Sequence, residues 1–199
     1  MATKKRCPIC GAGQVRVESP SRYSYEHSGL SDVILMGQGI VKITHCDNCE
    51  NITTVVRDEQ QLLQVLGLGL LLRPPGMSGE ELRYLRTLFN LTQAGFAKAL
   101  DLPRRETVAE WEAKDRVFAL ARDEITPRLM LLHLFRTQVI ESDHCFLLPP
   151  HVEIYEDFVK SFVDNVWKML KGHKKRSAKG FNVRLQPRKK QWSSELVSV

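Results

Sequence analysis

The N-terminal part of the chain alternates hydrophobic and polar residues, a pattern typical of half-buried β-strands. Val15 and Val17 alternate with polar neighbours, which places both valines on one face of a strand. Further segments rich in β-branched or aromatic residues occupy positions 23–25, 33–36, 40–43 and 52–56. Glycine-containing turn sequences lie between them at 27–29 and 37–39. We expect residues 5–57 to form a small β-rich domain.

Beyond residue 57 the hydrophobic pattern changes to the period of an α-helix. One apolar helical pattern covers residues 58–72, and Pro74-Pro75-Gly76 ends it. A bilayer span needs roughly 20 apolar residues, so this shorter run is predicted to be a core segment. We assign residues 58–77 as a helical linker between two domains.

Three short helices are predicted next, with Ser78 and Thr92 as N-cap residues of the first two. The apolar residues at helical spacing are Leu82, Leu85, Phe89, Phe96, Ala97, Leu100, Val108 and Trp111. Two short helices joined by about four residues, with a small alanine where they cross, are typical of a helix-turn-helix. The alternative is a three-helix bundle without a role in DNA binding. We assign residues 78–140 to this all-α domain, with 129–140 closing its core.

Residues 141–199 form a C-terminal extension. Pro149-Pro150 is predicted to break the chain, and a further amphipathic helix is predicted over about 152–170. After about residue 172 we expect a basic, flexible tail. The predicted fold class is therefore α+β, with a β-rich domain first, an all-α domain second and a helical, basic extension.

The positive charge of the chain is concentrated near its C-terminus. The formal net charge is +6 in 199 residues, and residues 168–190 contain ten Lys or Arg and no acidic residue. Such a segment is typical of a solvated extension or of an arm that binds polyanions, and the two interpretations are compatible. The first residues lack the apolar core of a signal peptide. Together with the odd number of five cysteines, this indicates a cytoplasmic protein without membrane association.

Four of the five cysteines occur as two CxxC pairs, Cys7-Pro8-Ile9-Cys10 and Cys46-Asp47-Asn48-Cys49. Two such pairs predict one tetrahedral Zn²⁺ held by four thiolates. A closed shell of four thiolates leaves no position for a substrate, so the predicted zinc is structural. One alternative is a redox-active pair, although neither pair begins a helix after a buried strand. Another is that His27 or His45 replaces one thiolate.

No enzyme motif is present in the sequence. It contains no glycine-rich phosphate-binding loop, HExxH or GxSxG. His144 and Cys145 are adjacent, but adjacent side chains usually point in different directions, and we expect an incidental cysteine. Trp167 and Trp192 lie among lysines and either stack on nucleic-acid bases or anchor a helix. We expect a protein that is not an enzyme.

Two sets of motifs resemble known families. The segment Leu91-Thr92-Gln93, with Thr107-Val108 and Trp111-Glu112, resembles the Xre-type helix-turn-helix. The cysteine pairs, with Gly11 after the first, resemble the YgiT-type zinc finger. In this order over residues 5–140 they resemble the bacterial MqsA-type antitoxins. The resemblance implies a homodimeric transcriptional regulator and repressor of a toxin–antitoxin pair, whose zinc domain over 5–57 binds a small toxin protein and whose helical domain binds double-stranded DNA.

The resemblance also implies roles for individual residues. Gln93 would contact a phosphate, and Arg86 and Glu112 would form a buried ion pair between the first helix and the recognition helix. Arginine can bind guanine, glutamate can accept from cytosine, and alanine can contact a thymine methyl group. The positions implied in DNA binding besides Gln93 are Arg104, Arg105, Glu106, Thr107, Ala109, Glu110, Lys114 and Arg116.

The sequence departs from this family at the turn before the recognition helix and on that helix. Position 101 is aspartate instead of glycine, and Glu106 and Glu110 lie where an amide and an arginine are usual. Two carboxylates near phosphates are unfavourable unless neighbouring cations compensate. Two other functions therefore remain open. One is a zinc-containing transcription factor without a toxin, and the other is a nucleic-acid-associated adaptor that uses the basic arm.

Overall fold

The computed structural model of the protein describes residues 6–31, 33–115, 117–118, 121–171, 181–188 and 191–198. Within these residues, the N-terminal strands belong to two small sheets, and six α-helices follow them. This confirms the predicted α+β class and the β-rich N-terminal region. None of the helices in the described part of the chain is long and apolar enough to cross a membrane.

Five strands precede the helices, at the segments where the residue pattern predicts strands. They are β1 (Val15–Glu18), β2 (Arg22–Ser24), β3 (Ile34–Met36), β4 (Val41–Cys46) and β5 (Ile52–Val56). Strand β4 is the centre of an antiparallel sheet with β1 and β5 at its edges. In this sheet Val17 lies opposite Thr44, and Thr44 lies opposite Thr53. Strands β2 and β3 form an antiparallel pair.

The helices are α1 (Glu59–Leu72), α2 (Gly79–Leu88), α3 (Gln93–Ala99), α4 (Arg105–Glu112), α5 (Ile125–Phe135) and α6 (Pro149–Lys171). A π-helical turn, Arg136–Ile140, continues α5. The helix predicted as a linker, α1, has Leu62, Val65 and Leu66 almost fully buried. It contacts α2, α5 and α6. Helix α1 therefore lies in the interior of the helical part of the molecule.

The helical core continues into the β-rich region. Leu35 and Val41 belong to the same cluster of buried residues as the interior side chains of α1. Tyr25 donates its hydroxyl hydrogen to the Glu59 carboxylate at the start of α1. Strands β2 and β3 and the buried end of β4 are therefore packed against the helices. The other end of β4 lies away from this core and carries Cys46.

Two buried Arg–Glu ion pairs hold the connection between α1 and α2. Arg73 pairs with Glu81, and Arg128 pairs with Glu124. Arg128 also donates to the carbonyl oxygens of Leu71 and Arg73 at 2.6 and 2.8 Å, which satisfies carbonyl groups at the end of α1. The Glu124 carboxylate accepts the Gly76 N–H at 2.7 Å. Because each charge has partners, this buried network fixes the geometry of the connection.

Helix α6 begins earlier than the sequence predicts. The pair Pro149-Pro150 was expected to break the chain, with a helix from about 152, but α6 starts at Pro149 itself. Proline is tolerated in the first turn because the N–H that it lacks would have no partner within the helix there. The two prolines therefore mark the first turn of α6, and the helix begins three residues before the predicted position of about 152.

The chain after residue 180 contains two strands, β6 (Phe181–Arg188) and β7 (Gln191–Ser198). They pair antiparallel, and β6 lies parallel to β3 with Leu35 opposite Leu185. These two strands lie within the segment for which the sequence predicts a flexible tail. In β6, Phe181, Val183 and Leu185 alternate with polar residues, which is a strand pattern that the many basic residues obscure.

Candidate metal centre and candidate nucleic-acid interface

The two cysteine pairs lie on two turns at one end of the three-stranded sheet. Cys7 follows Arg6, whose backbone bridges to Gln14, and Cys46 is the last residue of β4. The first turn is closed by the Cys7 N–H, which donates to Gly13 O at 2.8 Å. The second is closed by the Cys46 N–H, which donates to Asn51 O at 3.1 Å. Pairing of β1 with β4, with Val15 opposite Cys46, brings the two turns together.

The four sulfur atoms form one cluster. All lie within 4.8 Å of one another, with Cys7 Sγ 3.8 Å from Cys49 Sγ and Cys10 Sγ 3.6 Å from Cys46 Sγ. Thiolates bound tetrahedrally to zinc at about 2.3 Å lie about 3.8 Å apart. All four cysteines are free. The predicted convergence of the four cysteines is confirmed, and the cluster could hold a metal ion.

Backbone N–H groups point at the sulfur atoms. The Gly13 N–H donates to Cys10 Sγ at 3.4 Å, and the Asn48 N–H donates to Cys46 Sγ at 3.5 Å. The N–H groups of Gly13 and Ala12 lower the pKa of Cys10 to about 6. The Asn51 N–H favours the Cys49 thiolate, but hydrogen bonding among the sulfurs outweighs it and raises the pKa of Cys49 to about 12. Cys10 therefore favours the thiolate, whereas Cys49 favours the protonated thiol and would release its proton on binding a metal ion.

Neither histidine proposed as a replacement ligand belongs to the sulfur cluster in the described residues. His45 Nε2 lies 4.0 Å from the carboxylate of Glu18, and the ring of His27 packs edge-on against Tyr25. The donor set is thus four sulfurs. It fits zinc better than magnesium or calcium, which prefer oxygen ligands.

Helices α2, α3 and α4 pack as a compact group. Ser78 and Glu81 form a capping box at the start of α2, and the Thr92 side chain accepts the Gly95 N–H at the start of α3. Both predicted N-caps are confirmed. Gly79 lies so close to the end of α4 that an added Cβ would be 2.5 Å from Glu112 O. Its N–H donates to Lys114 O at 2.8 Å. This close approach ties α4 to the start of α2.

Three side chains contact the carboxylate of Glu112, whose side chain is 1% exposed. Arg86 donates Nε and Nη2 hydrogens to its two oxygens, and Arg83 Nε lies 3.4 Å from Oε2. Gln93 Nε2 donates to the same Oε2 at 2.9 Å. Arg86 and Glu112 thus form an ion pair between α2 and α4. Gln93, which the resemblance implies as a phosphate contact, donates one hydrogen of its amide group to Glu112.

The side of α4 opposite this cluster is exposed to solvent. Val108 is buried against the core and Thr107 is half-buried. The exposed residues from the predicted DNA-binding set are Arg104, Arg105, Glu106, Ala109, Glu110 and Lys114. Arg105 Nε lies 3.2 Å from the Glu106 carboxylate. The remaining member, Arg116, lies outside the described residues.

The turn between α3 and α4 requires a residue in the left-handed region. Asp101 has φ of 53°, and the next N–H, of Leu102, donates to Ala97 O at 2.9 Å. Aspartate tolerates this conformation better than most residues other than glycine and asparagine. The absence of the expected glycine at 101 therefore leaves the turn intact.

The other candidate residues are not brought into a site among the described residues. His144 is exposed and its carbonyl oxygen accepts from Gln64 Nε2 at 2.7 Å, while Cys145 is half-buried against the core. The side chains of Trp167, Trp192 and the basic segment 168–190 lie outside the described part of the structure. The sequence pattern does not single out Arg83, which the structure places beside the Glu112 carboxylate.

Comparison with models of known protein families, with curated proteins and with solved structures finds no match for this chain.

Proposed function

We propose that this protein is a zinc-containing, DNA-binding transcriptional regulator of bacteria, the antitoxin and autorepressor of a toxin–antitoxin pair. The observation that carries the proposal is the arrangement of α4. Its inner side is bound to α2 by the ion pair between Arg86 and Glu112. Its outer side is exposed to solvent and carries Arg104 and Arg105. A recognition helix needs this combination of a fixed orientation and an accessible face.

In this proposal α2, α3 and α4 form an Xre-type helix-turn-helix, and α4 enters the major groove. Arg104 and Arg105 would bind guanine, Glu106 and Glu110 would accept from cytosine, and Ala109 would contact a thymine methyl group. Thr107 and Lys114 would contribute at the edges of the groove. A homodimer would place two such helices about one helical turn of DNA apart.

The four cysteines would hold one structural Zn²⁺. Cys7, Cys10, Cys46 and Cys49 are all used as ligands, so the ion joins the two turns and offers no position for catalysis. We infer no enzymatic activity for the protein. With cysteines kept reduced for zinc, it would act in the cytoplasm.

A protein partner would bind the zinc-bearing sheet. Val17 and Val55 share the outer face of this sheet and are 57% and 55% exposed. Ile9 and Ile52, on the cysteine-bearing end, are exposed as well. Exposed apolar residues concentrated in one region are typical of interaction surfaces. A small toxin protein encoded beside this chain is the partner that we propose, and its co-purification with tagged protein tests this.

DNA binding is tested by in vitro selection from a random duplex library. We expect a recurrent sequence motif, and Arg105→Ala should weaken binding to the selected duplex by ~1–3 kcal/mol if it reads a base. The control Arg16→Ala removes an exposed arginine from β1. An unchanged affinity of Arg105→Ala would exclude this residue from base recognition, and failure to enrich any motif would contradict the proposed function.

A second candidate is an adaptor that binds polyanions through its basic arm. The Arg105–Glu106 ion pair favours it, because it neutralises a cation on the face of α4. In that case replacement of the ten Lys and Arg residues of segment 168–190 by Gln would abolish binding to any duplex, and Arg105→Ala would have no effect. A sequence-specific regulator gives the opposite pattern.

A further inference from the structure

Two arginines on α2 contact one carboxylate but differ in exposure. The Arg86 side chain is 11% exposed, and besides Glu112 it binds Leu91 O at 2.6 Å. The Arg83 side chain is 56% exposed, and its Nη2 lies 3.4 Å from Glu112 O. Arg86 is thus enclosed by protein acceptors, whereas most of the Arg83 guanidinium faces solvent.

The charges of this cluster do not cancel. The single negative charge of Glu112 is already neutralised by Arg86, which binds both carboxylate oxygens. Arg83 therefore contributes an extra positive charge at the surface. Its contact with Glu112 is long, at 3.4 Å from Nε to Oε2, and the arginine end of the pair is 56% exposed. The contact orients Arg83 without using all of its five N–H donors.

Arg83 lies close to the helix that we propose to bind DNA, α4. Arg83 Nε and Gln93 Nε2 approach the same oxygen, Glu112 Oε2, at 3.4 and 2.9 Å. Gln93 is the first residue of α3, and Glu112 is the last residue of α4. Arg83 therefore lies where the first turn of α3 meets the end of the proposed recognition helix.

We propose that Arg83 binds a phosphate group of the DNA backbone. This inference rests on the proposed function and adds a residue to its interface. A guanidinium can bind a phosphate through two parallel N–H donors. Glu112 holds the side chain near its bound position, which reduces the ordering cost of binding. Such a contact carries no sequence information and positions the protein on the duplex.

The test is a salt titration of DNA binding by fluorescence anisotropy, using full-length protein and both a selected and an unrelated duplex. Arg83→Gln and Arg83→Ala should each weaken binding to the two duplexes by a similar factor, roughly tenfold. The slope of log affinity against log salt, which is negative, should become less negative by about 0.9, the value for one phosphate contact. Melting temperature should remain close to that of the wild type, because Glu112 keeps Arg86 and Gln93 as hydrogen-bond partners.

Arg22→Ala is the matched control, since it removes an exposed arginine from β2 and makes the same change in net charge. If both Arg83 variants gave the same slope of log affinity against log salt as Arg22→Ala, the phosphate contact of Arg83 would be overturned. The proposal that the protein binds DNA would not be affected by that result. Absence of salt-dependent duplex binding by the wild type would instead remove the proposed function and this inference together. Loss of folding in both Arg83 variants would assign Arg83 a structural role and would also overturn the proposal.

Discussion

At the scale of single residues, the close approach of the four cysteines depends on the absence of a side chain at Gly13. A Cβ added there would lie 2.5 Å from Cys46 Sγ and 2.7 Å from Asn48 Cβ. The backbone of Gly13 also donates to Cys10 Sγ. One residue therefore sets the distance between the two cysteine-bearing turns.

We predict that Gly13→Ala forces the turns apart and reduces metal content to well below one ion per chain, measured by mass spectrometry of purified protein. Gly29→Ala is the control, because an added Cβ at Gly29 meets nothing within 4 Å; unlike Gly13, Gly29 has a positive φ, of 72°. It should cost about 1–2 kcal/mol of stability and retain the metal. Full metal content in Gly13→Ala would show that the turns tolerate the extra methyl group.

At the scale of secondary-structure elements, Glu112 links α2, α3 and α4. Burial disfavours its charged form, but hydrogen bonds from Arg86 and Gln93 outweigh this and hold the pKa of Glu112 below its usual range. A carboxyl group with a lowered folded pKa stabilises the protein above its unfolded pKa of about 4.3. This contribution is lost as the pH falls through the folded pKa.

We predict that Glu112→Gln destabilises the protein by about 3–5 kcal/mol at pH 7, because Arg86 loses its buried counter-ion. The difference between wild type and variant should shrink as the pH is lowered below about 4. Urea unfolding at a series of pH values measures both effects. A difference that stays constant with pH would mean that the Glu112 charge does not stabilise the helices.

The start of α2 is held by a capping box, in which Ser78 Oγ accepts the Glu81 N–H and Glu81 Oε2 accepts the Ser78 N–H at 2.6 Å. Ser78→Ala should therefore lower the free energy of unfolding by about 1 kcal/mol. Chemical denaturation measures this change, and Ser24→Ala at an exposed position of β2 serves as the control. An equal effect of the two substitutions would argue against the cap as the cause.

At the scale of the whole molecule, the two ends of the β-rich region are stabilised differently, one by packing against the helices and the other by the cysteine cluster. Tyr25, Leu35 and Val41 belong to the core shared with the helices. The cysteine-bearing turns and β1 have no buried apolar cluster of their own among the described residues. A bound ion would therefore supply most of the folding energy at this end.

We predict that removal of zinc by a chelator unfolds only this end of the molecule. Hydrogen exchange followed by mass spectrometry should show loss of protection in residues 6–18 and 43–54. Peptides from α1 and α2 should stay protected, and added zinc should restore the original pattern. Loss of protection throughout the helices would contradict this separation.

The features that the sequence predicts correctly are encoded locally or by chemistry that has few alternatives. Four cysteines in two CxxC pairs have one common use, and Ser78 and Thr92 precede helical patterns as N-caps do. The features that it misses depend on distant partners. The apolar run of α1 predicts a core segment, but not that elements on both sides of it in the chain pack around it, and strand β6 lies beside β3. Neither arrangement has a signature in a short stretch of sequence.

The contacts of Gln93 and Arg83 could not be predicted for the same reason. Both contacts depend on where α4 ends relative to α2 and α3. The close approach of Gly79 to the end of α4 sets the distance between that end and α2. An arginine three residues before an ion-pairing arginine is common on helices, so the sequence alone does not distinguish a buried role from a surface role.

The most direct test of this account is the metal content of the native protein compared with Cys46→Ser and Cys145→Ser. We predict one zinc ion per chain in the native protein and in Cys145→Ser, whose cysteine lies outside the cluster, and loss of zinc in Cys46→Ser. Native protein without stoichiometric zinc, or Cys46→Ser with its full complement, would contradict the four-thiolate centre.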